Sequence, residues 1–253
     1  MGETVHYYRN RDGYGIIILD RIKKHNAISR QMAEDFRNSL KIASQDQIKF
    51  LIVTGAGEKM FCSGGDLSDL HGDLSPNDAF ERLVEIKEIL YSLVTFPVPT
   101  ICLLNGNALG GGCEVATACD FRIAKESTMF GFVQTKLGII PGWGGGELLY
   151  KKVHSSFAIQ WLLEAETYSA SYLLQQGWLH NVVSKDKWND QMDVLGPFLS
   201  KSYEQMRVLK DQYKENLDIN LLSEQMEKEV RRCANLWDSD EHIQAVRHFF
   251  NRK

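Results

Sequence analysis

The sequence predicts an α/β core followed by a helical C-terminal subdomain, on three observations. Short apolar runs rich in β-branched residues alternate with amphipathic helical segments through the first half of the chain. Glycine clusters punctuate that alternation at the ends of strand-like runs. Beyond Gly146 the strand-like runs give way to mainly helical periodicity. With 253 residues, 43% of them hydrophobic, the chain can bury a sizeable core.

In chain order, Val5–Tyr8 and Gly15–Leu19 read as paired strands joined by a turn at Asn10-Arg11-Asp12-Gly13. Met32, Phe36 and Leu40 recur at helical spacing, which predicts an amphipathic helix over Arg30–Ser44. Phe50-Leu51-Ile52-Val53-Thr54 is a short buried strand stopped by Gly55-Ala56-Gly57. Phe80, Leu83, Val84, Leu90 and Leu93 share one side of a helix over Pro76–Val94, which ends before Pro97 and Pro99. A strand at 100–104, a glycine turn, a helix through Cys113–Cys119 and a strand at Phe121–Ala124 follow, an order that suggests right-handed crossovers. A second glycine cluster, Gly138–Gly146, comes next. Ala158, Trp161, Leu162 and Ala165 then form one apolar helical face, Leu173, Leu174 and Leu179 another, and Asp211–Trp237 is charged and periodic. The domain expectation is an α/β core over 1–195 and a helical subdomain over 196–253.

The formal net charge of −4 gives no bulk attraction to nucleic acid or to anionic membrane. No apolar run approaches the roughly 20 residues of a bilayer span, and Met1–His6 contains no apolar signal core, so the expected location is cytoplasmic. The cysteines, Cys62, Cys102, Cys113, Cys119 and Cys233, are odd in number and lack metal-ligand spacing. Buried thiols in a reducing compartment and no metal site are the expectation. Cys113 as a nucleophile lacks a recognisable histidine partner. Gly106-x-Ala108-x-x-Gly111 narrowly misses the dinucleotide fingerprint: it lacks the second glycine and the following acidic residue.

The chemistry concentrates in Asn105-Gly106-Asn107-Ala108-Leu109-Gly110-Gly111-Gly112-Cys113-Glu114, directly after the apolar run 99–104. A strand enters a glycine turn and a helix opens with a carboxylate in its first turn. Helix starts carry unpaired N–H groups and partial positive charge, and glycine lets a ligand approach that backbone. Such a site suits an anionic oxygen, with Glu114 beside it to handle a proton.

Several segments together resemble the crotonase (enoyl-CoA hydratase/isomerase) superfamily over most of the chain. They are Lys23-Lys24-His25-Asn26-Ala27-Ile28, Phe61-Cys62-Ser63-Gly64-Gly65-Asp66-Leu67, Asn105–Asp120, Phe130–Gly145 and the tail Asp238–Phe250. The resemblance implies a spiral of ββα units, a homotrimer or dimer of trimers, and an acyl-CoA thioester as substrate, with coenzyme A part of the substrate and no separate cofactor. It implies that the N–H groups of Gly65 and Gly111 form an oxyanion hole. Such a donor is worth about 3–4 kcal/mol at a developing oxyanion. It further places Ala27, Ser63, Asp66, Leu67, Gly110, Pro141 and Trp143 along the CoA ester, Lys23 and Lys24 at its phosphates, and Phe249, Phe250 or Lys253 at the CoA of a neighbouring subunit.

The departure from the family pattern lies at the second carboxylate. Hydratases of this family use two glutamates; the first matches Glu114 and the second matches Gln134. A glutamine can hydrogen-bond but cannot transfer a proton at neutral pH. Thr117–Arg122 and Gly138–Gly145 resemble methylmalonyl/ethylmalonyl-CoA decarboxylases of the superfamily, whose reaction needs no water and no second base. That reaction on a short branched malonyl-type ester is the leading expectation, the short acyl group inferred from bulky Phe132 and Trp143. Alternatives are an enoyl-CoA hydratase/isomerase and a non-catalytic acyl-CoA binder. His71, after the first glycine turn, is a further candidate for a substrate carboxylate. The family's Gln-Arg pair is replaced by Glu147-Leu148.

Overall fold

A computed structural model describes residues 3–70 and 74–251. Its elements in chain order begin with strands β1 (Val5–Arg9) and β2 (Gly15–Leu19), helix α1 (Arg30–Gln45), β3 (Leu51–Gly55), β4 (Met60–Cys62), α2 (Leu67–Leu70) and α3 (Pro76–Val94). β5 (Thr100–Leu104), β6 (Asn107–Leu109), α4 (Gly111–Ala118), β7 (Phe121–Lys125), β8 (Met129–Gly131) and α5 (Gly145–Lys152) follow. The remainder is α6 (Ser155–Glu164), β9 (Tyr168–Ser169), α7 (Ala170–Gln175), β10 (Asn181–Val183), α8 (Gln191–Leu199), α9 (Tyr203–Asn216), α10 (Ile219–Ala234) and α11 (Asp240–Asn251).

The strands form two sheets. The larger runs β1-β2-β3-β5-β7-β10 and is parallel apart from the β1–β2 hairpin. The smaller runs β4-β6-β8-β9 and is parallel apart from the β8–β9 pair. Each turn of chain lays one strand in the large sheet, one in the small sheet and then a helix: β3-β4-α3, β5-β6-α4, β7-β8-α5. This is a mixed α/β spiral of ββα units with a helical C-terminal region.

The central strands β2, β3 and β5 of the large sheet are covered on both faces, which is why they read as near-continuous apolar runs. Leu51 and Val53 face the main core, shared with α1 and α3. Phe50 and Ile52 face a second cluster with Ile101, Ile123 and residues of α8 and α9. Ser29 caps α1 by accepting from the Met32 N–H at 3.2 Å, and Ser75 caps α3 ahead of Pro76. Asp120 closes the β5–β7 junction. Its carboxylate accepts from the Thr100 N–H at 2.8 Å and is gripped by Lys210 Nζ of α9 at 2.6 and 2.7 Å.

Some expectations change. The small sheet was not legible: its strands of two or three residues lie inside the glycine-rich segments. The periodic stretch 211–237 is two helices, broken where Asp218 takes a left-handed φ of 46° and caps α10 by accepting from the Leu221 N–H. Leu174, expected on an apolar face with Leu173 and Leu179, is exposed; Trp178 fills that place, fully buried and donating to Thr117 Oγ1 at 2.9 Å. Phe132, expected beside the site, turns into the core and packs edge-on against Trp161. On the C-terminal side, Leu222, Met226, Val230, Cys233 and Trp237 join the main core. Among the described residues no helix is long and apolar enough to cross a membrane.

Candidate active site

Two glycine turns, at the C-terminal ends of β4 and β6, meet edge to edge. Gly64 has φ of +100° and Gly110 φ of +52°, values that L side chains rarely adopt. A β-carbon on Gly64 would stand 3.1 Å from the Gly111 nitrogen. The first turn is pinned from the side by Ile28, whose N–H donates to the Gly64 carbonyl at 2.8 Å and whose carbonyl accepts from the Asp66 N–H at 2.9 Å. These bonds bypass Gly65. Among the described residues neither the Gly65 N–H nor the Gly111 N–H has a hydrogen-bond partner. Both glycines line one cavity of about 1050 Å³, at the upper end for ligand pockets.

The sequence-derived residues gather at this cavity. Lys23 and Lys24, both exposed, and Ala27, Ser63, Asp66 and Leu67 line one side. Gly110, Glu114, Gln134 and Trp143 line the other. Pro141 does not line it and packs its β-carbon towards Gly146. The Trp143 ring lies against Gly111 so closely that a β-carbon there would fall 2.0 Å from a ring carbon. Phe249 and Phe250 of α11, the aromatics expected at a CoA, line the cavity of their own chain together with Ala245 and His248. His71 and Lys253 lie outside the described residues.

Among the described residues two acidic side chains reach the cavity, and they differ. Asp66 is paired with Arg21 at 2.9 Å and accepts from Ser68 Oγ at 2.6 Å. Burial would raise its pKa, but Ser68 and Arg21 outweigh it and hold the carboxyl below the ordinary range. Arg21 also donates to the Ala27 carbonyl, which ties the lysine-bearing segment to the first glycine turn. Glu114 is 2% exposed and has no cationic partner among the described residues.

Glu114 does not serve its own helix. Its Oε2 accepts from the Trp143 N–H at 2.9 Å and the Gly145 N–H at 3.0 Å, so it caps the start of α5. Its Oε1 accepts from Gln134 Nε2 at 2.9 Å and, at 3.5 Å, from the Gly142 N–H. Burial pushes the Glu114 carboxyl above the ordinary carboxylate range, against the opposing pull of those N–H groups. Gln134, matched to the family's second carboxylate, thus touches the first. Its own Oε1 is buried and has no hydrogen-bond partner among the described residues.

One residue near this constellation escaped the sequence reading. Glu229 of α10 is 6% exposed and accepts from the Gly146 N–H at 3.2 Å and the Glu147 N–H at 2.6 Å. Two buried carboxylates therefore share the first turn of α5. Burial first, and then the Glu114 charge, push Glu229 well above the ordinary range. The available signal was positional: Glu229 falls on the stripe Leu222, Met226, Val230, Cys233 of an otherwise charged helix. Leu148, in place of a family arginine, is fully buried core. The thiols are not poised for attack. Cys113 donates to the Ala108 carbonyl at 3.1 Å, and burial raises its pKa well above the usual value; the cavity-lining Cys233 behaves likewise towards the Ile140 carbonyl.

Fold and site together define a crotonase-type acyl-CoA enzyme. A family model described as enoyl-CoA hydratase/isomerase matches residues 9–253, and the chain belongs to that family. It is 30% identical over 208 residues to the crotonyl-CoA hydratase of Syntrophomonas wolfei, covering 81% of this chain and 80% of that one. It is 29% identical over 201 residues to the ethylmalonyl-CoA decarboxylase of Gallus gallus, covering 79% of this chain and 67% of that one. The enoyl-CoA hydratase structure from Bacillus halodurans superposes with a TM-score of 0.88 at 23% identity, over 97% of this chain and 100% of the other.

Proposed function

We propose that the protein decarboxylates a short branched malonyl-CoA-type ester, with Gly65 and Gly111 holding the thioester oxygen and Glu114 protonating the product carbon. One observation carries the reading. Among the described residues the cavity offers a single carboxyl free of a cation, and its neighbour at the second catalytic position is an amide. Hydration needs one group to take a proton from water and a second to deliver one to carbon. Decarboxylation needs one acid. The bond from the α-carbon to the carboxylate breaks, its electron pair moves into the thioester as an enolate, and carbon dioxide leaves. Glu114 then gives its proton to the α-carbon. A carboxyl raised by burial and held by fixed N–H donors suits that acid.

A second reading, enoyl-CoA hydration, is supported by the similarity to a crotonyl-CoA hydratase. A paired assay separates the two: carbon dioxide release from methylmalonyl-CoA and ethylmalonyl-CoA, and loss of the conjugated absorbance of crotonyl-CoA. Carbon dioxide release without hydration is the expected result. Hydration alone would overturn the proposal and require another proton-transfer group. Turnover of neither, with thermal stabilisation by both esters, would mark an acyl-CoA binder.

A further inference from the structure

A single β-bridge aims the N–H of Gly65. Residues 25–28 run parallel to residues 63–66, and Ile28 pairs with Gly65. In a parallel pair one residue bonds to the neighbours on either side of its partner. Here the Ile28 N–H donates to the Gly64 carbonyl and the Asp66 N–H to the Ile28 carbonyl. The N–H of Gly65 itself then points away from the ladder, and Gly65 lines the cavity. Among the described residues the only further backbone bond between these two segments runs from the Ser63 N–H to the His25 carbonyl, at 3.1 Å.

Arg21 grips both sides of that bridge. Its Nη1 donates to the Ala27 carbonyl and its Nη2 to Asp66 Oδ2 at 2.9 Å. One rigid, planar fork therefore spans the residue before Ile28 and the residue after Gly65. The clamp is fixed at its base. The Arg21 N–H donates to Asn26 Oδ1 at 3.0 Å, and Asn26 Nδ2 donates to the Ala56 and Met60 carbonyls at 3.0 and 2.9 Å. Asn26 is buried at a left-handed φ of 54°, a conformation that asparagine tolerates better than most residues. At the far end, Asp66 Oδ1 accepts from the Ser68 N–H at 3.1 Å and from Ser68 Oγ. Both Asp66 oxygens are thus committed within the chain, although the residue lines the cavity. The second glycine turn is held differently. Gly111 opens α4, where the Gly110 carbonyl accepts from the Cys113 and Glu114 N–H groups at 2.9 and 3.2 Å, and the Trp143 ring packs on it.

We propose that Arg21 is a positioning residue for the reaction: it clamps the Ile28–Gly65 bridge and so holds the Gly65 N–H on the thioester oxygen. This rests on the reading of Gly65 and Gly111 as the oxygen-binding pair and is independent of which reaction follows. Without the guanidinium the turn hangs on one residue pair, and Gly64, at φ of +100°, has no side chain to limit its rotation. Hydrogen bonds weaken steeply with angle. The Gly65 donor is then lost while the Gly111 donor stays, and the cavity remains open. A lysine at this position keeps the charge but not the fork that reaches two acceptors.

The test is isotope-edited infrared spectroscopy of propionyl-CoA labelled with carbon-13 at its thioester carbonyl, bound at saturating concentration. This ester neither hydrates nor decarboxylates, and hydrogen bonds to its carbonyl oxygen move the stretching band to lower frequency. The wild-type protein is expected to shift the band as two donors would. Arg21→Gln is expected to keep roughly half of that shift, one donor of two, with affinity lowered by no more than about tenfold, the worth of one hydrogen bond. Asp66→Asn removes the charge that anchors the fork and should follow Arg21→Gln; Arg21→Lys should fall between it and the wild type. Calorimetry supplies the affinities and thermal unfolding the folded fraction. Loss of stability alone does not move the band of bound ester, so a full shift in folded Arg21→Gln overturns the proposal. If that variant does not fold, a full shift in both Arg21→Lys and Asp66→Asn overturns it. A wild-type band at its free-solution frequency defeats the oxygen-binding reading itself; a wild-type shift that the variants keep defeats the clamp alone.

Discussion

The two sheets hold themselves together by opposite means. In the large sheet β2, β3, β5 and β7 are buried on both faces by branched apolar side chains, and the strands run four or five residues in register. In the small sheet each pair matches only two positions, and the contacts are backbone against backbone through glycine. Their buried acids differ in the same way. Asp120 at the large sheet is neutralised by Lys210, whereas Glu114 at the small sheet is held by N–H groups and left able to carry a proton. One sheet is built for stability. The other places unpaired N–H groups beside a chargeable carboxyl, an arrangement that serves chemistry and costs stability.

The largest break in this comparison comes from adding one methyl group to the small sheet. A β-carbon on Gly112 would stand 2.1 Å from the Cys62 carbonyl oxygen, a backbone atom with no freedom to retreat. Gly112→Ala is therefore expected to cost more than the usual overpacking range of about 1–3 kcal/mol and to leave little folded protein. Thermal unfolding of the purified variant checks it, and a melting curve like the wild type's would mean that α4 can slide on β4. Next in size, Glu114→Gln should keep its fold, because the amide oxygen can still accept from Trp143 and Gly145 while its nitrogen donates to a turned Gln134. Turnover should fall by about 10²–10⁴, the usual worth of a positioned acid, with CoA-ester binding within a few-fold. Parallel assays of kcat and ligand affinity separate the two effects.

At the large sheet the corresponding acid is structural. Lys210→Met strands the Asp120 charge between β5 and β7, and losing one partner of a buried pair costs about 3–5 kcal/mol. Urea unfolding should show that loss, while the pH profile of activity keeps its shape. Glu229→Gln should do the reverse and move the pH profile. On the proposed reading Glu114 is the acid and works only while protonated, so activity is held below its pKa and lost above it. Glu114 and Glu229 titrate as a pair, so replacing Glu229 by an amide removes their mutual repulsion and moves the alkaline limb of kcat/KM to lower pH. Both carboxyls are raised in the folded state. Their contribution to stability is thus complete at low pH and is lost as pH rises from the ordinary carboxylate range through the raised values, and the variant should flatten that slope. An unmoved limb would separate Glu229 from Glu114.

The same contrast explains what was legible beforehand. Strands 15–19, 51–55, 100–104 and 121–125 announce themselves because burial on two faces demands apolar runs, and α1 and α3 because one face of each is buried. The small sheet leaves no such trace, since its strands are set by the backbone and by neighbours distant in sequence. Glu114 and the glycine turns were readable as a motif and Gln134 as a departure from one. That these residues touch, that Glu114 caps α5 rather than α4, and that Glu229 joins them depends on helices that meet only in the folded chain. Phe132 shows the limit: a bulky residue in a site motif was read towards the cavity, while just past β8 its ring is buried against Trp161.

The smallest expected effect sharpens the comparison from the other side. Ile17 is fully buried at the centre of β2, between Tyr7 of β1 and Val53 of β3. Ile17→Val removes one methyl group where Gly112→Ala adds one. Core loss of this kind costs about 0.5–1.5 kcal/mol, which corresponds to a melting shift of roughly 2–4 °C per kcal/mol in a chain of this size. Side chains around a branched residue relax, whereas a carbonyl facing a glycine cannot. Differential scanning calorimetry should therefore find a small downward shift with kcat and the pH profile unchanged. A collapse comparable to that of Gly112→Ala would show the large sheet to be as intolerant as the small one, and the division of labour between them would fail.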